Sequence, residues 1–218
     1  MRAAATGARR RSGRMRCRPG ADAMAVSCGS RIHAIMDPMI LDPVVGILIL
    51  ASVAVLFASA AVHKLRDLAR FDEIFSAYGM MPASSMLRIS RAVPLLEMAV
   101  AAGLASNVTR PYAAALGILL LSAYAAAIAV NLRRGRRDLA CGCGGPDERR
   151  PIAAWMVWRN ILIALAAATA FAPWTERGLT MTDGVTIAFG LLTVALIYLC
   201  ADQLLGNAQR TAQLRGSR

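Results

Sequence analysis

The sequence predicts an all-α protein, a polytopic bundle of membrane-crossing helices. Three observations carry that reading. Hydrophobic residues make up 57% of the 218-residue chain, and its mean hydropathy is +0.49. Charged residues make up 17%, below the roughly 25% of a soluble domain. The apolar residues are gathered into five long runs separated by short basic segments. Aromatic residues are 6%, so alanine and leucine supply the apolarity. The reading is one integral membrane domain, although length alone would fit one or two soluble ones.

The chain opens with MRAAATGARRRSGRMRCRPG, rich in arginine and alanine. It has no apolar run, so it is not a secretory signal. Residues 1–39 read as a disordered basic tail, as a transit-peptide mimic, or as sequence ahead of a start at Met36 or Met39. Cys17 and Cys28 lie there and receive no role. A membrane domain is expected over 40–174, an additional transmembrane helix over 175–205, and a disordered tail over 206–218.

The first expected span is Val44–Val62, nineteen residues without a charge. About 17–25 residues of helix cross the hydrocarbon core of a bilayer. Next comes DLARFDEIFSAYG, Asp67 to Gly79. Leu68, Phe71, Phe75 and Tyr78 share one helical face, and Arg70, Asp72 and Glu73 the opposite one. Gly79 suits a C-cap. The segment is either an interfacial amphipathic helix or a loop helix covering the end of the bundle.

The second span, Ala92–Ser106, is fifteen residues and contains Glu97 and Pro94. Ser84 or Ser85 would cap the incoming helix, and Arg88 and Arg91 would snorkel at its interface. The third span, Tyr112–Val130, is nineteen residues and free of charge. Its small pairs Ala113/Gly117 and Ala123/Ala127 let helices approach closely. The fourth, Ile152–Ala172, carries Arg159, and the fifth is Gly184–Ala201.

Net charge is +12. The basic residues flank the spans, so they read as anchors of membrane loops, and nucleic-acid binding is not expected. Within reach of the spans, one side offers Arg31, Arg110 and Arg177. The other offers thirteen basic residues, from Lys64 through the cluster Arg133, Arg134, Arg136 and Arg137 to Arg215. The positive-inside rule then places that richer side in the cytoplasm.

The chemistry-bearing residues collect on this richer side. His63 and Lys64 end the first span, Cys200 ends the fifth as a third thiol, and Cys141 and Cys143 lie in the loop between spans three and four. Glu97 and Arg159 lie about 8 and 10 Å into their spans when counted from it. A lone charge in hydrocarbon is expensive, so the two are expected to pair, with Asn160 and Asn131 adding hydrogen bonds. The pair reads as a register clamp or as a site for a proton or ligand.

In CGCG, Gly142 permits the bend that brings two sulfurs together. A strained, exposed disulfide is easily reduced, and nearby arginines favour the thiolate. Cys141 and Cys143 therefore form a candidate redox pair. A zinc site shared with a partner would draw on His33, His63 or Cys200 and lacks a full ligand set. A glycine turn with incidental cysteines is the third reading. No resident metal or cofactor is expected.

Four stretches together resemble the methylamine utilisation protein MauE family: HKLRDLARF from His63, VPLLEMAVAAGL from Val93, AIAVNLRRGRRDLACGCGG from Ala127 and VWRNILIALAA from Val157. The resemblance runs over about residues 44–172. It implies a DoxX-like four-helix core, to which the fifth C-terminal helix is added. It further implies a multi-pass inner-membrane protein assisting maturation of the exported, disulfide-rich β-subunit of methylamine dehydrogenase, beside a thioredoxin-like partner of the MauD type. The matching positions are Cys141 and Cys143, Glu97, Arg159 and Asn160. The protein would be a thiol–disulfide relay rather than a conventional enzyme. Two alternatives are a non-redox assembly factor and a small-molecule transporter built on Glu97 and Arg159.

Overall fold

A computed structural model of the chain describes residues 41–80, 82–142, 151–175 and 177–216. The tail over 1–39 lies outside these residues. All described elements are helical, and among the described residues no strand forms beyond two isolated bridges, Leu41 with Trp174 and Ala140 with Pro151.

Helix α1 spans Pro43–Arg66. Asp42 caps it, accepting from the Val44 N–H at 2.8 Å, and Pro43 fits the first turn because no N–H is needed there. His63, Lys64 and Arg66 occupy its last turn, where positive charge complements the helix dipole. Asp67 closes α1 and also caps α2, Leu68–Ala77, by accepting from the Arg70 N–H. One residue thus makes the knee between the two helices. The chain leaves α2 through Gly79, whose φ of +61° favours glycine.

Helix α3 is Ala83–Gly103. It starts at Ala83, just ahead of the two serines expected to cap it. Its N-cap is Pro82, with no side-chain cap bond, so Ser84 and Ser85 lie inside the first turn and do not cap it. Pro94 stays within it. Helix α4 is Arg110–Arg133, followed by Gly135 at φ +76°. Helix α5 is Ala154–Ala168, continued by a 3-10 turn, Thr169–Phe171. Helix α6 is Met181–Gly216. It runs on through the expected tail, and Gln209 explains part of this: its side chain donates to the Pro151 carbonyl at 2.9 Å and accepts from the Trp155 indole.

Among the described residues four helical segments are long and apolar enough to cross a membrane: α1, α4, Ala154–Phe171 and Met181–Gln209. The protein is therefore a multi-pass membrane protein. The remaining expected span lies in α3, where Arg88, Arg91 and Glu97 interrupt the apolar run. Even so, α3 carries the chain along the length of the bundle. It begins beside α2, where Ser90 donates to Asp72, and ends where a Cβ on Gly103 would lie 2.7 Å from that of Ala113 in the first turn of α4.

The main core joins Leu50, Val53 and Phe57 of α1 to Val100 and Leu104, to Leu120 and Leu121 of α4, and to Ala167 and Ala170. Small residues let these helices close up. A Cβ on Gly117 would meet Val100 at 3.1 Å and Phe57 at 3.3 Å, and Ala113 is buried beside it. Of the second small pair, Ala123 is exposed and Ala127 is half-buried, so only the first pair seats deeply. A second cluster of Tyr78, Ile128, Leu139, Ile152 and Met156 fills the end that carries the cysteine loop.

The opposite end is fastened by Trp174. Its ring lies against Gly46 of α1, where a Cβ would come within 2.7 Å. The Arg110 guanidinium stacks on it at 3.9 Å. Arg177 binds Asp42 at 3.0 Å and Asp183 at 2.9 Å, and the Arg177 side chain, with the Val44 N–H, holds the Asp42 carboxyl below its ordinary range.

Candidate functional site

The last turn of α1 places Lys64 inward, because Lys64 lies on the same face as the buried Phe57 and Ala61. The buried face of α3 runs through Ser90, Val93, Glu97 and Val100, one helical stripe. Where these faces meet, Lys64 Nζ donates to Glu97 Oε1. Tyr124 of α4 donates its hydroxyl to the same oxygen at 2.7 Å. The ammonium also lies 5.3 Å from the Phe71 ring and 5.1 Å from the Tyr124 ring, so its remaining N–H groups face negative ring quadrupoles. The side chains of Lys64 and Glu97 are 5% and 1% exposed. Glu97 Oε2 has no hydrogen-bond partner among the described residues.

The expected Glu97–Arg159 pair does not form. Arg159 Nη1 instead reaches Asp202 of α6 at 3.3 Å, with its guanidinium 5.3 Å from the Trp155 ring. Equal depth along two helices does not make their faces meet, and Lys64 stands closer in the packed bundle. Asn160 and Asn131 are buried, but each side-chain amide donates back to its own helix, at Met156 O and Ala127 O. Asn131 also accepts from Arg136 at 3.4 Å, and Arg136 donates to Ala77 O of α2 at 2.8 Å. This clamp ties the end of α4 to the end of α2.

Helix α2 is a cover over this end of the bundle. Phe71 and Tyr78 are buried, Leu68 and Phe75 are half-buried, and the Asp72 carboxylate is held by Ser90. The cysteine loop rests on it. Its base is pinned by the Ile152 N–H donating to Leu139 O at 2.9 Å. Tyr78 donates its hydroxyl to Cys141 O at 3.3 Å, and burial pushes the Tyr78 phenol up to about 12. Gly142 has φ +66° and presses on α2, where a Cβ would lie 2.9 Å from Ile74 and 3.9 Å from Phe71. Cys141 is disulfide-bonded, while Cys143 lies outside the described residues. Cys200 is a free thiol exposed on α6. Among the described residues no group of His, Cys, Asp and Glu is placed to hold a metal ion.

A small cleft opens beside the loop, lined by His63, Lys64, Asp67, Arg70, Phe71, Ile74 and Gly142. His63 and Lys64 therefore stand close to the cysteine turn, as their shared side of the bundle foretells. Three participants escape sequence reasoning. Lys64 stands there at the end of the first span with no partner assigned, Tyr124 lies unremarked within the third span, and Asp202, next after the fifth apolar run, receives no reading. The third case had a usable signal, since an acid at the edge of a span is a natural partner for an intramembrane arginine.

Residues 42–173 match the family model described as methylamine utilisation protein MauE. A relative from Paracoccus denitrificans called Methylamine utilization protein MauE is 33% identical over 179 residues, covering 81% of this chain and 96% of its own length. One of the same name from Methylophilus methylotrophus is 30% identical over 173 residues, covering 78% and 91%. A third, from Methylorubrum extorquens, is 35% identical over 129 residues, covering 59% and 69%. No solved structure matches the chain significantly.

Proposed function

The chain belongs to the methylamine utilisation protein MauE family, and from that premise we propose that it is an inner-membrane thiol–disulfide relay supporting methylamine utilisation. Its client is the β-subunit of methylamine dehydrogenase or a similar disulfide-containing exported protein. Its partner is a thioredoxin-like protein of the MauD type, and Cys141 exchanges with Cys143. The observation that carries the reading is the disulfide at Cys141, set in a glycine turn at the rim of the bundle and seated on α2. The partner's thiolate attacks one sulfur, the S–S bond breaks, and the other sulfur leaves as a thiolate. A second partner thiol then resolves the mixed disulfide. Two electrons and two protons pass between the dithiols, in whichever direction the potentials set.

The arginine-rich side that holds the loop faces the cytoplasm in this reading. A client matured outside then requires electrons to cross the bilayer. Labelling Cys143 with an impermeant thiol reagent in intact cells, after mild reduction, decides the side.

The test of function is replacement of Cys141 or Cys143 by serine. Both variants should insert normally and fail to mature the client. Normal maturation with both serines in place would refute the relay. A second reading, a non-redox assembly factor using the buried polar site, is favoured by Glu97 Oε2, which has no hydrogen-bond partner among the described residues. It requires mild serine variants and a severe Glu97→Gln.

A further inference from the structure

Helix α2 makes two sets of contacts that meet nowhere else in the chain. Its Phe71 ring lies 5.3 Å from the Lys64 ammonium, and the Lys64 side chain is only 5% exposed. Its second half meets the cysteine turn. Tyr78 donates to Cys141 O, and Gly142 sits so close to Ile74 that a Cβ would lie 2.9 Å from that side chain. Cys141 and Ile74 both pack against the cluster that contains Tyr78. The helix that covers Lys64 is thus in contact with the residues at the disulfide.

A disulfide holds its sulfurs about 2 Å apart. As separate thiols they need more room, and the turn regains conformational freedom. Fixing the backbone of one residue is worth roughly tenfold in an equilibrium constant. Gly142 has no slack against Ile74, so the change passes to α2. Asp72 stays tied to Ser90, and α2 tilts about that tie.

We propose that α2 is a redox-gated cover on Lys64, held shut by the cysteine turn while Cys141 is in its disulfide and loosened when that disulfide is reduced. This rests on the disulfide of the relay reading and adds its regulation. Reduction by a dithiol delivers two electrons and two protons, the Cys141 disulfide becomes two thiols, and the reductant closes to its own disulfide. The coupling is reciprocal: a cover that fits the oxidised turn better protects the disulfide from reduction.

Lys64 is the only lysine in the chain, so amine labelling reads the cover directly. The full-length protein in phosphatidylcholine nanodiscs is acetylated with a water-soluble succinimidyl ester, either oxidised or reduced by dithiothreitol and desalted. Digestion and mass separate Lys64 from the terminal amine. Reduction should speed Lys64 labelling about tenfold and quicken amide exchange over residues 74–78, with no change around Gly46 at the opposite end. Cys141→Ser should show the reduced pattern under both conditions. Gly142→Ala, whose Cβ meets Ile74, should raise labelling even when oxidised. Tyr78→Phe should narrow the difference and shift the equilibrium with glutathione about fivefold towards the thiols; a merely structural role leaves that equilibrium in place. Equal Lys64 labelling in oxidised and reduced wild type overturns the cover and leaves the relay standing. So does exchange that quickens at both ends alike. A cover that answers reduction while the serine variants still mature the client sustains this inference and removes the relay. A purified chain without a disulfide at Cys141 overturns both.

Discussion

Replacing Lys64 by Met should destabilise the bundle far more than a charge at the edge of a span suggests. The substitution keeps the length of the side chain and its packing against Phe71 and Tyr124. It leaves Glu97, 1% exposed, with the Tyr124 hydroxyl as its one remaining donor among the described residues. Removing one member of a buried ion pair costs about 3–5 kcal/mol, against roughly 0–1 for a surface pair. Glu97→Gln keeps a carbonyl acceptor for Lys64 but removes its counter-charge, so a loss of about 2–4 kcal/mol is expected. The double variant Lys64→Met with Glu97→Gln has no buried charge here, and the Tyr124 hydroxyl still finds an oxygen. Its loss should be about 1–2 kcal/mol, smaller than either single loss. The coupling is then at least about 3 kcal/mol. Equilibrium unfolding in mixed micelles measures all four corners of the cycle. Losses that add to within about 0.5 kcal/mol, or a Lys64→Met loss under about 1 kcal/mol, would refute the buried pair.

Other sites give sharper local readouts. Gly117→Leu forces a side chain into Val100 and Phe57 and should cost about 2 kcal/mol or more, whereas Gly117→Ala requires shifts of only a few tenths of an ångström; thermal unfolding ranks the two. Tyr78 holds its proton more tightly folded than unfolded, about 12 against 10.0. Its contribution is therefore complete below pH 10, is lost as pH rises towards 12, and should vanish from the alkaline limb of a stability profile in Tyr78→Phe. Arg136→Lys cannot span both the Asn131 side chain and Ala77 O; amide exchange should quicken in α2 and Leu139–Gly142 while α1 is unchanged.

The helices were legible because apolar runs bounded by charge are a strong signal. Their ends were less so. In Val44–Val62 the run stops at His63, yet the helix continues to Arg66, since backbone bonding does not end where polarity begins. That one added turn conceals Lys64. An amphipathic stripe through Leu68, Phe71, Phe75 and Tyr78 foretold α2, and the burial of Phe71 and Tyr78 shows it as a cover. The grouping of His63 and Lys64 near the cysteine turn followed from counting crossings. The partner of Glu97 did not. Which faces meet depends on rotation about each helix axis, and that is set by Gly103, Gly117 and their opposite numbers, not by depth. The Arg159–Asp202 link was hidden for a similar reason, because α6 contributes its acid from beyond the apolar run.

The indole of Trp174 has a mechanical consequence. It is wedged between Gly46 and Arg110, with Leu41 bonded to Pro173 and Thr175 on either side of it. Three chain segments are riveted there, so that end acts as a fulcrum. Any flexing of the helices is then smallest at the rivet and largest at the far rim, where a visiting molecule needs room to dock and depart.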